Sequence, residues 1–150
     1  MNESHEYTLE DLFAELRPPY EDQAHLANML NTLKIYLERP WCEDTSLEVL
    51  SDGFRPVLAE YLGISEDARE ELLACLCHLF DPDSEEEPEL DLSIIKDSLE
   101  VLAPSGLVVA LSLISNERAP DAEARIRPFL QHEKEFVREA AREELEELGL

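Results

Sequence analysis

Positive charge is scarce in this chain, with three Lys and nine Arg among 150 residues. Phosphate recognition needs clustered Lys and Arg, so the shortage argues against a nucleic-acid surface and against docking on an anionic membrane. Glycine is nearly as rare: Gly53, Gly63, Gly106 and Gly149 are the whole set, an economy that suits helices joined by short turns. There is no Gly-rich phosphate loop, no GxSxG elbow and no HExxH pair. No segment approaches the eighteen or so apolar residues of a membrane span. The first ten residues carry Glu3, Glu6 and Glu10 without a basic stretch or a following apolar run, so no secretory signal is expected and the cytoplasm is the expected compartment. Cys42, Cys75 and Cys77 form an odd set, which points to reduced thiols rather than a disulfide framework.

What the chain has in excess is acid. Thirty-six Asp and Glu give a formal charge of -24, and they stand in blocks. A field of that size speeds encounter with cationic partners and carries no information about fold. With 44% hydrophobic residues the chain is nevertheless far from the composition of a disordered segment. One domain spanning residues 1–150 is expected.

Apolar spacings of three and four dominate, and no run of alternating β-branched residues occurs, which predicts an all-α fold. Thr8 suits the cap of a first helix with Leu9, Leu12, Phe13 and Leu16 on one face, ended by Pro18 and Pro19. A second helix is expected over Glu21–Glu38, with Leu26, Met29, Leu30, Leu33, Tyr36 and Leu37 on its apolar side, and a third over Ser46–Leu62. Pro56 predicts a kink or a break into two short helices there, and Gly63 suits a left-handed C-terminal position. Ser65 opens a helix to Phe80, with Glu66, Asp67 and Glu70 at the positive end of its dipole. Asp81–Asp91 holds seven carboxylates and two prolines and reads as a solvated loop separating 1–80 from 92–150. Helical spacing resumes at Ile94, Ile95, Leu99 and Leu102, turns at Pro104-Ser105-Gly106, and continues through Leu107, Val108, Leu111 and Ile114.

From Ala124 to Leu148 the chain reads ARIRPFLQHEKEFVREAAREELEEL. Paired apolar residues, Phe129 and Leu130, are followed by Val137-Arg138, Ala140-Ala141, Leu145 and Leu148, a pattern that resembles a HEAT repeat over about one unit. A shift of 28 residues pairs Val137 with Val109 and Leu130 with Leu102, a poorer copy that lacks the Arg. The resemblance implies antiparallel helical hairpins stacked as a short α-solenoid, whose surface usually binds proteins. The same spacings also fit a compact irregular helical bundle.

Candidate chemistry is thin. Cys75, Cys77 and His78 are too close along one helix to close a tetrahedron, and His5, His25 and His132 show no ligand spacing, so the cysteines read as core residues and no metal or cofactor is expected. Asp81, Asp83 and Glu85 open like a calcium loop, yet Glu86 and Leu92 occupy the positions that need Gly and a bidentate Glu. Nothing assigns acid and base roles to the carboxylates, so no enzyme is expected, and a metal-dependent hydrolase is the form catalysis would take.

Two acidic blocks are the candidate partner-binding residues. The first is Glu85, Glu86, Glu87, Glu89 and Asp91; the second is Glu139, Glu143, Glu146 and Glu147 on the last helix. Like charges at spacings of three and four cost about 0.2 to 0.5 kcal/mol per pair, and a helix C-terminus prefers cations, so the second block runs against local stability. A partner supplying Lys or Arg relieves that repulsion. Size, charge and missing chemistry predict a non-catalytic protein that neutralises a basic partner, as an immunity protein or antitoxin does with a toxic nuclease. Two alternatives remain open: a HEAT-like scaffold or adaptor whose acidity serves solubility, and adaptation to a salty cytoplasm. Trp41 and Tyr20 read as core aromatics at helix junctions or as exposed anchors.

Overall fold

A computed structural model describes residues 9–38, 47–81 and 88–149. Those residues form eight α-helices and no strand: α1 (Leu9–Glu15), α2 (Gln23–Leu37), α3 (Leu47–Ala59), α4 (Glu66–Leu79), α5 (Ser93–Lys96), α6 (Pro104–Glu117), α7 (Ala122–Ile126) and α8 (Glu135–Glu147). The all-α expectation holds. Thr8 and Trp41 lie outside the described residues, whereas Tyr20 is half-buried against the core and donates its hydroxyl to the Leu16 carbonyl.

The caps are placed as local chemistry requires. Asp22 accepts from the His25 amide at 3.1 Å to open α2, and Ser65 accepts from the Ala68 amide at 3.2 Å to open α4. Gln23 ties the two starts together, its side-chain oxygen accepting from the Ser65 amide at 2.7 Å. Most of each expected apolar face is buried, Leu26, Met29, Leu30 and Leu33 on α2, Ala68, Leu72, Leu76 and Leu79 on α4, and Val137, Ala140, Ala141 and Leu145 on α8, whereas Tyr36, Leu37 and Leu148 are only half-buried. One continuous hydrophobic cluster takes in residues from Leu12 to Leu145.

Four local expectations are corrected. Of the two outcomes expected at Pro56, the break into two short helices does not occur, because α3 runs unbroken from Leu47 to Ala59. Phe54, Val57, Leu58 and Tyr61 are all buried around the proline, and their packing outweighs one lost helical hydrogen bond. Gly63 is not left-handed; it closes a 3-10 turn, Tyr61–Gly63, with its amide on the Glu60 carbonyl at 2.9 Å. Among the described residues the positive φ values belong to Gly149 and to Arg118, which ends α6. Pro104, Ser105 and Gly106 do not make a turn but form the first turn of α6, with Pro104 at the position where its missing N–H costs nothing. The described end of the supposed solvated loop, finally, lies on the core. Pro88, Leu90 and Leu92 alternate inward against exposed Glu89 and Asp91, and Arg55 Nη2 holds the Glu89 carbonyl at 2.7 Å.

α1 docks through Phe13, whose ring meets Phe54 edge-on at 5.1 Å and lies directly over Gly53. A Cβ at Gly53 would stand 2.4 Å from the ring carbons. Gly53→Ala should therefore destabilise the fold by about 1 to 2 kcal/mol, overriding the helix-propensity gain of about 1 kcal/mol. Gly63→Ala, where a Cβ meets nothing within 4 Å, should add about 0.4 to 1 kcal/mol. Urea unfolding of the two variants checks both signs; a more stable Gly53→Ala would mean that Phe13 is not seated on the glycine.

The longer even-numbered helices pack in chain order, α2 on α4, α4 on α6 and α6 on α8. Of the other helices, α1 lies on α2 and α3, α3 on α4, and α7 on α6 and α8.

Candidate protein-binding surface

α2 and α4 face each other across an open cleft of about 320 Å³ lined by Ala27, Asn28, Asn31, Asp67, Glu70 and Glu71. The lining follows from the helix period. Leu72, Leu76 and Leu79 turn one side of α4 to the core, which leaves Asp67, Glu70 and Glu71 on another side, facing the Asn28 and Asn31 amides of α2. None of the six is basic. Lys34 Nζ lies 3.3 Å from Glu71, and Ser105 of α6 donates to Glu70 at 3.2 Å, so the carboxylates are steadied from both neighbouring helices. Further along the row, His78 of α4 stands 3.6 Å from Glu38, Asn116 of α6 donates to the Cys77 carbonyl at 3.4 Å, and Ser112 donates to Glu144 of α8 at 2.7 Å.

Many of the scarce cations are engaged inside the molecule. Arg55 pairs with Asp52 while holding Glu89, and Arg127 pairs with Glu123. Arg69, although on α4, stacks over the Tyr61 ring at 5.8 Å. Arg138, at the Val-Arg position of the last repeat-like segment, donates to the His132 carbonyl at 2.6 Å and the Glu133 carbonyl at 3.1 Å, closing the turn before α8. Lys96 and Arg125 join Asp97, Glu117 and Asp121 in a network that ties α5 to the end of α6 and to α7. With these cations spent on internal geometry, Glu71 is the cleft carboxylate that has an ion-pair partner, Lys34, while Asp67 and Glu70 have none among the described residues.

Of the acidic residues expected to bind a partner, Glu85, Glu86 and Glu87 lie outside the described residues. Glu89 and Asp91 are exposed, but Asp91 also has a local task, accepting from the Ser93 amide at 2.9 Å where α5 begins. Hydrogen bonds from Ser93 hold its carboxyl below the usual aspartate range. Glu139, Glu143, Glu146 and Glu147 are all exposed on α8, and Arg118 Nη2 reaches the Glu147 carbonyl at 3.2 Å. The described residues of the first block, Glu89 and Asp91, lie beside Arg55 of α3 and the start of α5, whereas α8 rests on α6 and the 3-10 turn Arg127–Gln131. Sequence reasoning missed the cleft, having assigned Asp67 and Glu70 to the helix dipole; the spacing of Asp67, Glu70 and Glu71 away from the apolar stripe was the available signal.

The thiols of Cys75 and Cys77 belong to the packing, and Cys42 lies outside the described residues. Cys75 is buried with its sulfur 3.2 Å from the Leu30 carbonyl, and Cys77 is half-buried with its sulfur 3.6 Å from the Val109 carbonyl. Burial, reinforced by Glu71, pushes the Cys75 thiol far up; burial, reinforced by Glu144, pushes Cys77 up to about 12, so both stay protonated near neutrality. Among the described residues no group of three or more His, Cys, Asp or Glu is placed to hold a metal ion, and no helix is long and apolar enough to cross a membrane. Comparison with protein-family models, curated proteins and solved structures finds no match to this chain.

Proposed function

We propose that this chain is a non-catalytic binding protein that neutralises a basic protein partner, in the manner of an immunity protein or antitoxin covering the cationic groove of a toxic enzyme such as a nuclease. The observation that carries the reading is the α2–α4 cleft, an open acidic recess whose lining includes no cation. A guanidinium or ammonium entering it meets the carboxylates of Asp67 and Glu70, with the polar side chains of Asn28 and Asn31 also in the lining. The exposed carboxylates of α8 add to the negative field of the molecule, which steers the approach. The helices stack, on this reading, as a short HEAT-like solenoid, for which the serial packing of α2, α4, α6 and α8 is the support.

A second reading, an adaptor with apolar contacts, draws on two large hydrophobic side chains left about half exposed on those helices, Ile35 at 45% and Phe136 at 50%. Salt separates the two. Affinity capture with the tagged chain should retain a basic protein at low ionic strength and release most of it by 0.5 M NaCl, where the screening length falls to a few ångströms. Retention undiminished by salt favours the adaptor. Absence of any stable basic partner overturns the neutraliser.

A further inference from the structure

We draw no further inference here: the strongest candidate, the acidic cleft between α2 and α4 lined by Asn28, Asn31, Asp67, Glu70 and Glu71, belongs to the site already described, and nothing else in the structure points to a particular ligand within it.

Discussion

Lys96→Met should cost about 3 kcal/mol of folding stability, a large share of the roughly 5 to 15 kcal/mol that holds a domain together. The Lys96 side chain is 9% exposed, with its Nζ 2.7 Å from Glu117 and 3.1 Å from Asp121. Methionine preserves the apolar stem but leaves Glu117, itself only 19% exposed, without its ammonium partner. Removing one member of a buried pair costs about 3 to 5 kcal/mol, and the low end applies because Asp121 is 43% exposed and water screens it. The double variant Lys96→Met/Glu117→Gln should recover a good part of the loss, since no unpaired charge then remains. Arg127→Met, which breaks a pair about half exposed on both sides, should cost less than about 1 kcal/mol. Equal losses for Lys96→Met and Arg127→Met would overturn this account of the network.

The pH dependence follows from the same contacts. Partial burial alone would lower the Lys96 pKa, but the hydrogen bonds and charges of Glu117 and Asp121 outweigh it and the net displacement is upward. A raised folded pKa makes the ammonium's contribution complete below the ordinary lysine value of about 10.4, and that contribution fades as pH climbs through the folded value. Asp121 moves oppositely. Burial alone would raise it, yet Lys96 and Arg125 outweigh that and hold it low, so its contribution is complete above about 3.9 and fades as pH falls through the folded value. The stability gap between the natural chain and Lys96→Met should therefore be flat from about pH 5 to pH 10 and narrow on either side.

Helix faces were legible in the sequence because they are written at short range. The three-and-four spacing of Leu26, Met29, Leu30 and Leu33 needs no knowledge of what covers it, and Ser65 announces α4 through an amide three residues away. Punctuation was less reliable. Pro104 is compatible with a turn or with a first helical position, and only the burial of Gly106 and Leu107 under the core decides between them. Gly63 lost its expected role because α3 stops at Ala59, a boundary set by the packing of Tyr61 rather than by the glycine. The stretch Pro88–Leu92 has a period of two and too few residues for that period to stand out from the acids around it. The cleft was least visible of all, since Asn28 and Glu71 face each other across some forty residues of chain and neither is unusual alone.

Neutralising the exposed acids should separate stability from binding, with opposite signs. Glu139→Gln, Glu143→Gln, Glu146→Gln and Glu147→Gln together remove repulsions at spacings of three and four on α8, at about 0.2 to 0.5 kcal/mol each, and relieve the C-terminal dipole. The folded chain should gain roughly 1 kcal/mol. Association with the proposed basic partner should slow instead, by about tenfold at low salt, because charge steering acts on the encounter. Asp67→Asn with Glu70→Gln reaches the cleft itself and should act mainly on dissociation, where loss of a close charge pair costs about 2 kcal/mol or more. Glu71 is left in place because it holds Lys34. Both sets combined should weaken binding by a hundredfold or more at low salt and flatten its salt dependence. Glu48→Gln with Glu100→Gln, exposed acids away from the cleft, removes as many charges as the cleft pair. Stopped-flow association and dissociation rates across a salt series distinguish the cases. If the distant pair weakens binding as much as the cleft pair, net charge alone drives association and the α2–α4 cleft is not where the partner docks.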